Sequence, residues 1–458
     1  MMSMSGLRPV FAGLSRRLYA AQVATATQSA DKTPLPQESV QVSKLNNGLT
    51  VASLENHSPV SRIGLLVSAG CRYENTQNLG ITHCLRSYAN LTTSNATTFK
   101  ITRGLDDIGA SLEATTTRDH MLYSVQCLRT HIDTAASFLQ AATTGQQFRP
   151  WEIKDYRQRV LFDLASVRDQ LQIEVLENLH AAAFRDTVGR SLYAPEYMVD
   201  KIGTEMLLDY VNNMYTAENT ALVGIGVDHG DLKSFGEKFD VKRGVKTETP
   251  AAKYAGGEIR TQRDSPYSYA AVAVQGASLS SKELLTLGVL QQLMGVGPYI
   301  KWGSQQASSK LNQAAGKATM LPFSASCFNM SYSDTGLFGI FAVTQGDQMG
   351  TMLKSMVGQM GAITKGNIED KDLTRAKNQL KAAILMNLEN QSTIFEDIGV
   401  QALCTGDYVT PAAMIAEVDA ITGQDALQVA KRIFNGKLSM AASGDLGNTP
   451  YLDQLLSA

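Results

Sequence analysis

Three stretches of this chain recur in the same order, and that repetition limits what it can fold into more than any other feature. "SPVSRIGLLVSAG" (58–70) matches "SPYSYAAVAVQGA" (265–277) at an offset of 207 residues, each a proline-headed apolar strand pattern that closes on small residues. "TTTRDHMLYSVQCL" (115–128) pairs with "SYSDTGLFGIFAVT" (331–344), two hairpin patterns in which a polar turn runs into an apolar strand. "APEYMVDKIGTEMLLDYVNNMYTAENTALVGIG" (194–226) pairs with "TPAAMIAEVDAITGQDALQVAKRIFNGKLSMAASG" (410–444), a helical pattern that leads into a strand of small residues. Three matches in one order mean two copies of one unit. At 458 residues the chain also exceeds the roughly 250–300 at which a single core stops growing. The expected units are 38–238 and 258–458, joined by "FDVKRGVKTETPAAKYAGG" (239–257), whose Lys, Gly, Pro and Thr are linker chemistry.

Each copy mixes strands with helices. Residues 281–295 read as a helix, with Ser280 and Glu283 in capping-box spacing, apolar Leu284, Leu287, Leu290, Leu293 and Met294, and Gly295 at the C-terminal cap. Residues 131–144 place Ile132, Ala135, Ala136 and Leu139 on one stripe. The strands are not separated by regular crossover helices. The predicted class is therefore α+β: two homologous domains in tandem, each a mostly antiparallel sheet with helices packed on one face.

Composition removes several functions. With 44% hydrophobic and 18% charged residues, the chain is that of a packed globular protein. No stretch approaches the ~18 uninterrupted apolar residues of a spanning helix. A net charge of -2 and a pI near 6.3 lack the basic face that nucleic acid requires. The five cysteines, Cys71, Cys84, Cys127, Cys327 and Cys404, are scattered and form no C-x-x-C. A disulfide framework, a thiolate metal site and covalent haem are thus not indicated, and a reducing compartment is. Before Asp31 the N-terminus has Arg8, Arg16 and Arg17, several serines and no acidic residue. That composition predicts a mitochondrial transit peptide within an arm spanning 1–37, with processing after Tyr19 in "RRLYAAQ".

One short stretch carries the trace of chemistry. In "GITHCLRSYANLTT" (80–93), read as a helix, His83 opens the spacing in which inverted zinc peptidases carry H-x-x-E-H, but Arg86 stands at the glutamate position and Ser87 at the second histidine. A catalytic zinc takes three protein ligands. His57, His83, His120, His131, His180 and His229 are mutually isolated, and the second copy has no histidine; Gln291 lies near the equivalent place. A guanidinium is permanently cationic and accepts no proton from water, so Arg86 opposes both the metal and its base.

The duplicated halves, the opening "LGITHCLRS" and "RQRVLFDLASV" (157–167) resemble the pitrilysin/insulinase family, which includes the mitochondrial processing peptidase subunits. The resemblance implies a third zinc ligand on the later helix, where this chain has Asp163, with 75 residues between it and Ser87. It also implies that the glycine-rich loop of the non-catalytic processing subunit maps onto "MGVGPYIKWGS" (294–304), interrupted here by Val296, Pro298 and Tyr299. Within the family, "TTFKITRGLDDIGASLEATTTRDHMLYSVQCLR", "ENLHAAAFRD" and "SYSDTGLFG" resemble the core subunits of mitochondrial ubiquinol:cytochrome c reductase, respiratory complex III.

That resemblance implies a non-catalytic structural and assembly subunit, peripheral on the matrix side of the inner membrane. Its implied partners are a homologous core protein 1-like subunit and cytochrome b, cytochrome c1 and the Rieske subunit. The alternative is the non-catalytic, presequence-binding subunit of a processing peptidase heterodimer, and the cavity between the two halves, which in the family encloses extended peptides, could hold a peptide by strand addition. No catalytic, cofactor-binding or metal-ligating residue is expected. The purified chain is expected to contain no stoichiometric zinc and to cleave no presequence unaided. One tightly held zinc per chain by metal analysis, lost in His83→Ala, would overturn this.

Overall fold

The computed structural model describes residues 39–239, 241–297 and 308–456. The arm 1–37 and the greater part of the 294–304 loop lie outside the described residues. The first half contains β1 (Gln41–Lys44), β2 (Thr50–Leu54), β3 (Val60–Val67), β4 (Ser111–Thr116), β5 (Met121–Leu128) and β6 (Thr220–Ile225). Its helices are α1 (Ile81–Ser87), α2 (Thr98–Asp107), α3 (Ile132–Thr144), α4 (Pro150–Arg168), α5 (Leu171–Phe184), α6 (Glu196–Val199), α7 (Thr204–Met214) and α8 (His229–Lys238). The second half contains β7 (Glu258–Gln262), β8 (Tyr267–Gln275), β9 (Ser324–Ser331), β10 (Gly336–Gln345) and β11 (Ser439–Gly444). Its helices are α9 (Leu284–Met294), α10 (Lys310–Ala318), α11 (Met349–Thr364), α12 (Asp370–Asn387), α13 (Gln391–Cys404), α14 (Pro411–Ala420), α15 (Gly423–Phe434) and α16 (Leu452–Leu456).

The sheets repeat strand for strand. The first runs β1-β2-β6-β3-β5-β4 and the second β7-β11-β8-β10-β9, so β1 is an addition to a shared five-strand order. Among the described strands, β2·β6 and β7·β11 pair in parallel and the other strand pairs are antiparallel. This is the α+β tandem that the sequence pattern predicts, and the three quoted repeats fall on equivalent elements. The expected helix 281–295 differs at its start. Ser281 Oγ accepts from the Glu283 amide, the helix begins at Leu284, and the Glu283 carboxylate pairs with Arg432 across to α15, so no capping box forms. Gly295 caps its other end at φ 117°.

One face of each sheet packs on helices of its own half. Ile63, Leu65, Val67, Tyr123 and Val125 meet Leu85, Tyr88, Leu139 and Leu207 in the first core. Val272, Val274, Phe338 and Ile340 meet Leu290, Leu293, Met352, Met356 and Val429 in the second. The opposite faces are covered by exchange. Ile394, Phe395, Ile398, Ala402 and Leu403 of α13, from the second half, cover Ala52, Leu54, Leu66, Val223 and Ile225 of the first sheet. Reciprocally, Val175, Leu179, Ala183 and Phe184 of α5 cover Ala271, Ala273, Leu337, Phe341 and Ala441 of the second sheet.

Missing side chains let α13 come close. A Cβ on Gly64 would lie 2.6 Å from Phe395 Cζ, and one on Gly399 2.6 Å from Leu66 Cδ1. A polar bond seals the other exchange: His180 on α5 donates from Nδ1 to Leu176 O at 2.6 Å, so its Nε2 accepts from the Tyr332 hydroxyl at 2.6 Å.

The segment 241–257 is tied down along its length. The Thr247 amide donates to Asn219 Oδ1 at 2.8 Å, Ala255 N to Ala183 O at 2.7 Å, and Tyr254 Oη meets Ser439 Oγ at 2.6 Å. Among the described residues no helix is long and apolar enough to cross a membrane.

Two apolar sheet faces thus depend on a helix from the other half. Residues 39–238 and 258–456 expressed separately are expected to aggregate and to become soluble on co-expression. Phe395→Ala in the full chain is expected to lower unfolding stability by about 3–5 kcal/mol in denaturant titration.

Candidate functional site

The chain enters α1 through a tight corner. Gly80 has φ 81°, a conformation that side chains disfavour, and a Cβ there would lie 2.2 Å from Ala194 Cα. The helix start is held from outside by Glu74. Its buried carboxylate accepts from Gly80 N at 2.8 Å, Thr82 N at 3.1 Å and Thr82 Oγ1 at 2.7 Å. Burial pushes the Glu74 pKa up to about 7, against the opposing pull of those three bonds. The predicted helix 80–93 is shorter in the structure. It stops at Ser87 because Tyr88 turns into the core, and Thr93 then bridges to Gln146.

His83 is completely buried on α1. Its Nδ1 accepts from the Ala194 amide at 3.3 Å, and the Tyr193 ring meets it edge-on at 5.7 Å. Burial, with the Arg86 charge adding to it, lowers its pKa to about 4, so the ring is neutral at pH 7 with its proton on Nε2. That Nε2 is buried without a hydrogen-bond partner. Ser87 Oγ donates back to His83 O at 3.1 Å, which leaves it engaged with its own helix. Asp163 lies half-buried on α4 and is not among Leu161, Leu164, Ala165, Arg168, Ala194 and Glu196, which line a cavity of about 280 Å³ beside that helix. Gln291, the second-half counterpart, donates from Nε2 to Cys327 O at 3.2 Å.

These residues do not fit a zinc ion. One neutral imidazole already holds a backbone amide through Nδ1, a permanent cation follows one turn later, and the serine is bonded within its helix. Among the described residues, no group of three or more His, Cys, Asp or Glu converges to hold a metal. The cysteines are free, with Cys71, Cys84, Cys127 and Cys327 buried and Cys404 exposed.

A second group of densely bonded polar residues was not evident from sequence. Arg118 and Asp119 sit in the polar turn "TTTRDH", yet both are buried. Arg118 pairs with Glu177 at 2.6 Å and donates to Val188 O at 3.2 Å. Arg72 has no local motif at all and is completely buried. The available signal was the Arg-Asp-His run, three ionisable residues packed into one hairpin turn.

A duplicated α+β unit whose first copy opens a helix on a peptidase-type histidine, without the rest of the ligand set, defines a chain of metallopeptidase fold with an altered motif. The chain belongs to the insulinase family, peptidase family M16. Residues 50–196 match that family, and residues 201–380 match the peptidase M16 inactive domain. The chain is 42% identical over 449 residues to cytochrome b-c1 complex subunit 2, mitochondrial, of Homo sapiens, covering 97% of this chain and 99% of that relative. It is 31% identical over 435 residues to the mitochondrial-processing peptidase subunit alpha of Solanum tuberosum, covering 93% and 86% respectively. It shares its fold with a chain in the solved structure of complex III2 from Candida albicans, Inz-5 bound, at a TM-score of 0.80 and 20% identity, over 92% of this chain and 99% of that one.

The buried groups set opposing pH dependences. His83 and His180, the latter lowered to about 3 by burial and by the Arg118 charge, take up protons only on unfolding. Their stabilisation is complete above the unfolded value near 6.5 and is lost as pH falls toward 4 and then 3. Glu74 acts the other way: its raised value means stability declines as pH rises from 4.5 to about 7. Each group contributes a slope of about 1.4 kcal/mol per pH unit inside its window. Urea midpoints measured from pH 7 to 5 are expected to fall more steeply in Glu74→Gln than in the unmodified chain.

Proposed function

We propose that this chain is a core protein 2-type subunit of mitochondrial respiratory complex III, with a structural and assembly role and no catalysis of its own. The observation that carries the reading is the 42% identity over 97% of this chain to cytochrome b-c1 complex subunit 2, a match that leaves almost no part of either protein unpaired. The altered peptidase motif supports the non-catalytic part. His83 is neutral and bonded to Ala194, while Arg86 places a fixed cation where the family's base belongs.

In this reading the two units 38–238 and 258–458, with 239–257 between them, form one rigid support on the matrix face of the inner membrane. The arm 1–37 directs import. A homologous core protein 1-like subunit is the partner across the outer surface, and cytochrome b, cytochrome c1 and the Rieske subunit are the redox proteins it supports. The facing surfaces of the two halves are filled by α5 and α13. A presequence peptide would therefore be held between this chain and its partner subunit. The second reading, a presequence-binding subunit of a processing peptidase heterodimer, draws on the more distant match of 31%.

Sedimentation of a mitochondrial detergent extract separates the two. The chain is expected to travel with cytochromes b and c1; co-migration with soluble peptidase activity would favour the second reading instead.

A further inference from the structure

The two halves also meet at a polar seam, and its centre is a single arginine. The turn between β4 and β5 and the turn between β9 and β10 are equivalent in the two copies, and they face each other across Arg72. Arg72 Nη1 donates to Asp119 Oδ1 of the first half at 2.6 Å and to Ser333 Oγ of the second at 2.7 Å. Its Nη2 donates to Asp334 Oδ2 of the second half at 3.0 Å and to Pro250 O of the connecting segment at 2.7 Å. Both carboxylates then take a backbone amide from across the seam: Ser333 N donates to Asp119 Oδ2 at 2.9 Å, and Ala252 N to Asp334 Oδ2 at 2.9 Å. One guanidinium therefore contacts both copies and the strap between them.

The arrangement breaks the internal symmetry. The Arg72 amide donates to Arg118 O at 3.1 Å, and in the second copy the corresponding bond runs from Leu279 N to Tyr332 O at 2.8 Å. Where the first copy carries a cation, the second carries a leucine.

We propose that Arg72 is an electrostatic latch that holds the strap at 249–252 and the two hairpin turns in one register. Arg72 pairs with both Asp119 and Asp334, so one cation sits between two carboxylates. Deleting that cation leaves two carboxylates, one buried and one partly exposed, without their shared counterion, which turns attraction into repulsion. The seam then opens locally, while the apolar contacts of α5 and α13 keep the halves together. Removing all three charges abolishes the repulsion as well, so closure returns.

Hydrogen exchange by mass spectrometry on the full chain tests this through peptides covering 249–256 and 331–336. In Arg72→Met, exchange in both is expected to accelerate by about tenfold or more, with β3 and β8 unchanged. In Arg72→Met/Asp119→Asn/Asp334→Asn it is expected to return to within about threefold of the unmodified chain. Unchanged exchange in Arg72→Met overturns the latch, and a triple variant as fast as the single one assigns the effect to packing instead of charge. Should Arg72→Met not fold, the triple variant decides: folding with exchange near that of the unmodified chain supports the latch, and failure to fold as well overturns it.

Discussion

The structure depends on the exchange of α5 and α13. Each five-strand order presents two apolar faces, and the helices of one copy cover only one of them. An uncovered face of Leu, Ile, Val and Ala would be an aggregation surface, because apolar area in water costs about 25 cal/mol per Å². The reciprocal loan of one helix removes both exposed faces at once. The strap at 241–257, the His180–Tyr332 bond and the Arg72 cluster all lie along the boundary that this exchange creates.

Within that frame the helix that carries the altered motif is a packing element. Its imidazole is buried, neutral and bonded to the Ala194 amide; its serine is turned back to its own helix; its Gly80 leaves no room for a Cβ against Ala194. Catalytic zinc chemistry needs an open coordination position and water near a base. The contacts around His83 bring no second or third ligand to it among the described residues, and they join α1 to the loop before α6.

Much of the fold was legible in the sequence because period and turn chemistry are local signals. The repeats at 58–70 and 265–277, the hairpins at 115–128 and 331–344, and the stripe Ile132, Ala135, Ala136 and Leu139 each became the element their pattern implied. The altered motif at His83, Arg86 and Ser87 was legible for the same reason, since its meaning lies in spacing along one helix. What the pattern could not carry was long-range. The apolar residues of α5 and α13 indicate helices but not whose sheet they cover, and a lone Arg72 gives no sign that its carboxylates come from residues 119 and 334. The capping box at Ser280 failed because Glu283 found a stronger partner in Arg432, 149 positions away.

The contrast between Arg72 and Leu279 gives the tandem a direction. A pairing of two first copies would leave each Arg72 with Asp119 but without Asp334, and a pairing of two second copies would set Asp334 against Asp334 with Leu279 where the cation stands. Only the mixed pairing sets one guanidinium between a carboxylate from each copy, so the duplicated units are no longer interchangeable parts.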